Sequence, residues 1–169
     1  MDYLNFHHLP NLLYFNIDSI IEALFYTIIF LPIIINRRKI EITFIISVLL
    51  TLTFIISTFY SGGIFQYNTI FEVTECVFLI IISGFLLLKI MTLTSIELKK
   101  NNLFWFGSGL LIYFTLSLTM FVVQDINVKN NSTLLSGVLQ LYSLANIIAN
   151  IFYAIAFLCR TPQAAISKS

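Results

Sequence analysis

The sequence predicts an all-α membrane protein, a bundle of five transmembrane helices. One observation is composition: of the 169 residues, 59% are hydrophobic and only 10% are charged. Soluble domains are nearer half apolar and a quarter charged, and a small globule cannot bury such a surplus because its surface is large for its volume. The other observation is length, since five apolar segments each approach the roughly twenty residues that a helix needs to cross a bilayer.

The five segments follow one another with only short polar stretches between them. The first ends at Asn36–Lys39, the second ends at the turn signal Ser61–Gly63, the fourth follows Glu97–Asn102, and the fifth ends before Arg160. Helices are favoured over barrel strands because the apolar runs are continuous rather than alternating. The predicted spans are residues 17–35, 42–60, 72–93, 103–124 and 134–159, within a single transmembrane domain over residues 1–169.

The loop charges predict the orientation of these spans. Lys129 is the only basic residue in a loop on one side of the predicted bundle, whereas seven lie on the other side. Basic loops stay in the cytoplasm, so we expect the N-terminus outside and the C-terminus in the cytoplasm. The seven residues are Arg37, Arg38, Lys39, Lys99, Lys100, Arg160 and Lys168.

Charge and composition also bear on partners and localisation. The net charge of +1 offers no basic face for phosphates, so we expect no nucleic-acid partner. Frequent Ile, Phe, Asn and Tyr is typical of an AT-rich genome, which favours a bacterial inner membrane. The N-terminus lacks a basic region and a small-residue cleavage site, so we expect the first span to remain in the mature protein. Cys76 and Cys159 are expected at opposite ends of their spans, too far apart for a disulfide.

Acidic residues occupy the outer ends of the first and third spans. Asp18, Glu22 and Tyr26 recur every four residues and share one helix face, while Glu72 and Glu75 open the third span. One hypothesis is an outer-facing site for a cation, proton or amine around Glu22, Glu75 and Tyr26. The alternative is that Glu22 and Glu75 hydrogen-bond to neighbouring helices, and that Asp18 and Glu72 are interfacial charges favoured by the helix dipole.

The fifth span carries a polar stripe beside two small residues, Ala145 and Ala149. Small residues let helices approach closely and Asn side chains hydrogen-bond across helices, which predicts a packing face. The alternative is that Asn146 and Asn150 line the same cavity as the acids of the first and third spans. The stripe consists of Ser143, Asn146, Asn150 and Tyr153.

Catalytic and metal-binding motifs are scarce. The sequence contains no His-x-x-x-His, HExxH or GxSxG pattern, and we expect no enzyme activity, no metal site and no cofactor. A membrane-embedded hydrolase with a metal held by His7, His8 and a carboxylate is a third hypothesis, disfavoured because adjacent histidines in an extended tail point in opposite directions.

Three fragments resemble uncharacterised bacterial membrane proteins of about six to seven helices. They are IIEALFY (Ile20–Tyr26), FWFGSGLLIYF (Phe104–Phe114) and NIIANIFYAIAFLCR (Asn146–Arg160). The resemblance covers most of the chain and implies no activity. It implies that the positions of Glu22, Asn146 and Asn150 are polar in that group. It also implies one or two further spans before Ile17 in its members, so we expect this chain to be a short form or part of something larger.

These observations favour a non-enzymatic accessory or sensory subunit that acts through helix packing with a partner. The partner would be another membrane protein or a second copy of the chain, within the lipid bilayer. The alternative is a small transporter or channel subunit with its site around Glu22 and Glu75. Five spans form a thin pathway, and no broken helix marks a substrate site. The sequence does not identify a ligand.

Overall fold

The computed structural model describes residues 9–35, 40–93, 98–127 and 132–159. Within these ranges the chain is helical apart from turns and contains no strand, which confirms the all-α prediction. A 3₁₀ helix, Leu98–Lys100, precedes the fourth α-helix. The α-helices are α1 (Leu9–Ile35), α2 (Ile40–Tyr60), α3 (Thr69–Leu93), α4 (Asn102–Asn127) and α5 (Ser132–Leu158).

All five α-helices are long and apolar enough to cross a membrane. The shortest, α2, has 21 residues, and at 1.5 Å per residue it is about as long as the hydrocarbon core is thick, roughly 30 Å. Large apolar side chains are exposed on every helix, among them Ile21, Phe44 and Leu88. The first three helices end at the predicted residues, whereas α1 begins eight residues before the predicted start.

The described chain divides into two compact units, residues 1–76 and 77–169. The first unit contains α1, α2 and the first turns of α3. The second unit contains the rest of α3, the 3₁₀ helix, α4 and α5. The expectation of a single transmembrane domain stays a prediction, and the two units are described separately.

In the first unit, α2 ends in a glycine turn. The amide of Gly63 donates to the carbonyl oxygen of Thr58 (2.9 Å) and the amide of Gly62 to that of Phe59 (3.4 Å), the paired bonds of a Schellman motif. Gly62 and Gly63 have φ values of 90° and 114°, a region that side chains with a Cβ rarely adopt. The predicted turn at this position is confirmed.

Asn68 caps the start of α3 and ties it to the end of α2. Its Oδ1 accepts a hydrogen bond from the amide of Phe71 (3.2 Å), the usual role of an Asn N-cap. Its Nδ2 donates to the hydroxyl oxygens of Ser57 (2.9 Å) and Thr58 (3.1 Å). Asn68 is almost fully buried, so this one side chain fixes where α3 leaves the turn.

In the second unit, α4 and α5 pack through aromatic side chains and a glycine. Phe106 stacks on Tyr153 with ring centroids 4.8 Å apart, and the hydroxyl oxygens of Tyr113 and Tyr142 lie 3.0 Å apart. A Cβ added to Gly109 would lie only 2.9 Å from the Tyr153 ring. The predicted small-residue face of α5 is confirmed as buried, since Ala145 and Ala149 are 0% and 2% exposed.

The start of α4 and the end of α5 meet at the carbonyl oxygen of Lys99. The indole nitrogen of Trp105 donates to this oxygen at 2.9 Å, and the sulfur of Cys159 lies 3.5 Å from it. Cys76 is buried, and both cysteines are free thiols.

Candidate functional site

Four carboxyl groups form an acidic cluster in the first unit. Asp18 and Glu22 come from α1, and Glu72 and Glu75 from the first two turns of α3. The carboxyl group of Glu75 interacts electrostatically with the other three. Exposure falls along the cluster: Asp18 is exposed, Glu22 is half-buried, and Glu72 and Glu75 are each 3% exposed. The cluster therefore runs from the surface into the interior of the unit.

Ser19 holds Glu72 in place. The Ser19 hydroxyl oxygen lies 2.5 Å from Glu72 Oε1 and 3.1 Å from the carbonyl oxygen of Phe15. A hydroxyl carries one hydrogen, so Ser19 cannot fully donate to both oxygens. The sequence predicts that Glu72 is an interfacial charge. In the structure its side chain is buried, and Ser19 of α1 donates a hydrogen bond to it.

Glu22 and Glu75 have different surroundings. The Tyr26 hydroxyl donates a hydrogen bond to the Glu22 carboxyl group, so the predicted face of α1 does bring these two side chains together. Glu75 Oε1 is buried and has no hydrogen-bond partner among the described residues. A buried acceptor without a donor costs about 1–3 kcal/mol, and more when it is charged. Glu75 is therefore the member of the cluster whose surroundings leave it incompletely satisfied.

Asn16 anchors α1 to the turn between α2 and α3. Its Nδ2 donates to the carbonyl oxygens of Ile64 (2.7 Å) and Gln66 (2.8 Å). Its Oδ1 is buried without a partner among the described residues. Asn16 lies one turn before Ser19 on the buried face of α1, so it positions the helix that supplies half of the acidic cluster.

The described part of the first unit contains no base to balance these acids. Residues 9–35 and 40–76 include no Lys, Arg or His. Across the described chain, no group of three or more His, Cys, Asp and Glu side chains could hold a metal ion. His7 and His8, on which the metal hypothesis depends, lie outside the described residues, as do Arg37, Arg38 and Lys39.

The predicted polar stripe of α5 belongs to the second unit. Two of its members make contacts that the structure describes, and the other two are exposed. Tyr153 packs against Phe106. The Nδ2 of Asn146 donates to the carbonyl oxygen of Tyr142 on its own helix, at 3.3 Å. Ser143 and Asn150 are exposed, so only these two members lie on an open face of α5.

Sequence reasoning missed Asn16, Ser19 and Asn68. A signal for the first two was present, since small or polar residues recur on α1 at spacings of three and four, and such stripes in apolar helices mark packing faces. All four members of this stripe are buried, namely Asn16, Ser19, Ala23 and Thr27.

Comparisons with protein family models, with curated proteins and with solved structures find no match to this chain.

Proposed function

We propose that the chain is a multi-pass integral membrane protein of the bacterial inner membrane, with its N-terminus outside and its C-terminus in the cytoplasm. Its five apolar helices support the insertion. The two basic residues between α3 and α4, Lys99 and Lys100, support the orientation, and both are exposed in the 3₁₀ helix. The other bases of the cytoplasmic side lie outside the described residues. In this orientation Glu72 and Glu75 lie at the outer end of α3. Asp18 lies in the outer half of α1 and Glu22 near its middle, because α1 begins at Leu9 and has no acid in its first turn.

Within that membrane the chain acts as a non-enzymatic accessory or sensory subunit through helix packing. The observation that carries this proposal is Asn150, a polar residue near the middle of the apolar window Gln140–Leu158. Its neighbours on the exposed face, Leu144, Ile147 and Ile151, are apolar. An exposed amide in lipid lacks donors and acceptors, and such residues serve as contacts between helices. Asn150 therefore marks α5 as a contact with another chain.

The partner that fits this face is a second copy of the chain. A primary amide is both donor and acceptor, so two copies of Asn150 facing each other across a two-fold axis satisfy one another. The exposed positions Gln140, Leu144, Ile147, Ile151 and Ala154 recur at spacings of three and four, which is the spacing of a packed helix seam. Self-association through this face of α5 would satisfy the Asn150 amide without a polar residue from a different protein.

Replacing Asn150 with leucine is expected to weaken self-association. A hydrogen bond between membrane helices contributes about 0.6–2 kcal/mol, so the dissociation constant should rise by roughly 3- to 30-fold. The measurement is energy transfer between labelled copies in lipid vesicles, at decreasing protein-to-lipid ratios.

Thr119→Val is the matched control, because Thr119 is also exposed in an apolar helix but donates to the carbonyl oxygen of Thr115 on its own helix. This variant should associate like the unaltered chain. A strictly monomeric chain, or equal association of the Asn150→Leu variant and the unaltered chain, would contradict the proposal.

A small transporter or channel subunit is the second candidate function. The observation that favours it is the orphaned oxygen of Glu75, buried next to three other acids. The corresponding test is flux of protons or alkali cations across vesicles that contain the protein. Flux that disappears in a Glu75→Gln variant would support this candidate, and vesicles without flux would exclude it.

A further inference from the structure

The two buried acids of the cluster have too few hydrogen-bond donors. Glu72 and Glu75 together present four carboxyl oxygens, and the one described donor to them is the Ser19 hydroxyl. Ser19 also lies within hydrogen-bond distance of the Phe15 carbonyl oxygen. Both hydrogens of the Asn16 amide are already used by Ile64 and Gln66. At least one further hydrogen or cation is needed to satisfy this group.

The negative charges of Glu72 and Glu75 also require a further proton or cation, independently of the hydrogen bonds. Two ionised carboxylates one helical turn apart, both 3% exposed, repel each other, and no described basic residue of the unit neutralises them. A carboxyl group in such surroundings avoids the cost of a buried charge by taking up a proton. Protonation removes one negative charge and adds the missing donor, so a single hydrogen meets both needs.

We propose that Glu75 is a proton-binding site beside the hydrogen-bonded pair Ser19 and Glu72, with Glu22 and Asp18 as the path to water. The decrease in exposure from Asp18 to Glu75 gives the direction of this path. A proton leaving Glu75 passes to the carboxyl groups nearer the surface and then to solvent. If the orientation proposed above holds, the site equilibrates with the outside of the cell.

The other titratable groups around the acidic cluster are thiol, phenol and carboxyl groups. Cys76 adjoins it on α3 and interacts electrostatically with Glu75, Glu72 and Glu22. Tyr26 is hydrogen-bonded to Glu22, and Tyr67 lies in the turn before α3. On α2 the described acid is Glu41, in the first turn of that helix, at the opposite end from the turn that leads to α3. None of these groups brings a positive charge to Glu75.

The direct test is infrared spectroscopy of the protein in lipid at neutral pH. A protonated carboxyl group has a carbonyl band well separated from the carboxylate bands, and the band shifts in D₂O. We expect this band in the unaltered chain and in the Glu41→Gln variant, whose altered acid is exposed. We expect its loss in the Glu75→Gln variant, which keeps the shape of the side chain.

A second measurement needs no variant. Dicyclohexylcarbodiimide reacts with protonated carboxyl groups in apolar surroundings, and mass spectrometry locates the adduct. We expect the adduct on Glu75 and none on Glu41. No protonated carboxyl band, or an adduct confined to other residues, would overturn the proposal. So would a band that sodium chloride removes but N-methylglucamine chloride does not, because the ligand would then be an alkali cation.

The proton site involves the same acids as the transporter candidate but does not require transport. If vesicles show no flux while the Glu75 band is present, the transporter candidate fails and the proton site stands. If flux depends on Glu75 but the band is absent at neutral pH, the proton site fails and transport of another cation stands.

Discussion

An Asn16→Leu variant is expected to lose about 1–3 kcal/mol of unfolding free energy, since it removes two hydrogen bonds to part-buried carbonyl groups at roughly 0.5–1.5 kcal/mol each. The two carbonyl groups belong to Ile64 and Gln66, in the turn between α2 and α3. Leucine has the same number and branching of side-chain heavy atoms and is not smaller, so the loss comes from unmade hydrogen bonds rather than from a cavity. The turn should become less protected along with the start of α3.

The measurement is reversible unfolding in mixed micelles, followed by circular dichroism and by hydrogen exchange of the turn. Asn146→Leu is the matched control, because the hydrogen bond that the Asn146 amide makes among the described residues goes to the Tyr142 carbonyl oxygen of its own helix, which the helix already satisfies. The control should lose less than about 1 kcal/mol. Equal losses in the two variants would show that Asn16 does not anchor α1 to the turn.

A Gly109→Ala variant is expected to destabilise the second unit by about 1–3 kcal/mol, the usual cost of overpacking. The added methyl group would lie 2.9 Å from the Tyr153 ring and 3.0 Å from Phe152 Cβ. The Cβ atom of Phe152 cannot move without its backbone, so α4 and α5 must separate. This cost exceeds the gain of about 1 kcal/mol that alanine normally brings to a helix interior.

Gly84→Ala is the control for this variant. An added Cβ at Gly84 meets nothing within 4 Å, so the control should be neutral or slightly stabilised. Trp105, the only tryptophan in the chain, lies 5.4 Å from the Phe152 ring between centroids, and its fluorescence reports the packing of α4 against α5. Unchanged emission and stability in Gly109→Ala would contradict the close approach of these helices.

Helix ends are predictable from the sequence where local chemistry sets them. Gly62 and Gly63 end α2 because they adopt φ values that other residues avoid, and that signal needs no tertiary information. The helical class follows in the same way from composition and from run length. The first residues of helices are less predictable. The α1 helix, for example, begins at Leu9, which precedes the strongly apolar run.

The acidic cluster was predictable only in part. The order of the spans correctly places Glu75 near the start of α3, but Glu22 lies near the middle of α1 rather than at its end, because α1 begins eight residues before the predicted start. The burial of Glu72 could not be foreseen, because its partner Ser19 lies 53 positions away along the chain. The exposure of Asn150, like the packing of Tyr153 on Phe106, depends on which face of α5 meets α4. Sequence spacing shows that a stripe exists but not which neighbour it contacts.

The central claim is a five-span membrane protein whose acidic end faces outwards, and accessibility of single cysteines tests it most directly. In a chain with Cys76 and Cys159 replaced by alanine, Gln66→Cys marks the turn before α3, and Lys100→Cys marks the 3₁₀ helix. Both positions are exposed. An impermeant maleimide applied to intact cells should label Gln66→Cys, and should label Lys100→Cys only after the membrane is opened. The reverse pattern would contradict the orientation, and a chain that is recovered outside the membrane fraction would contradict the claim itself.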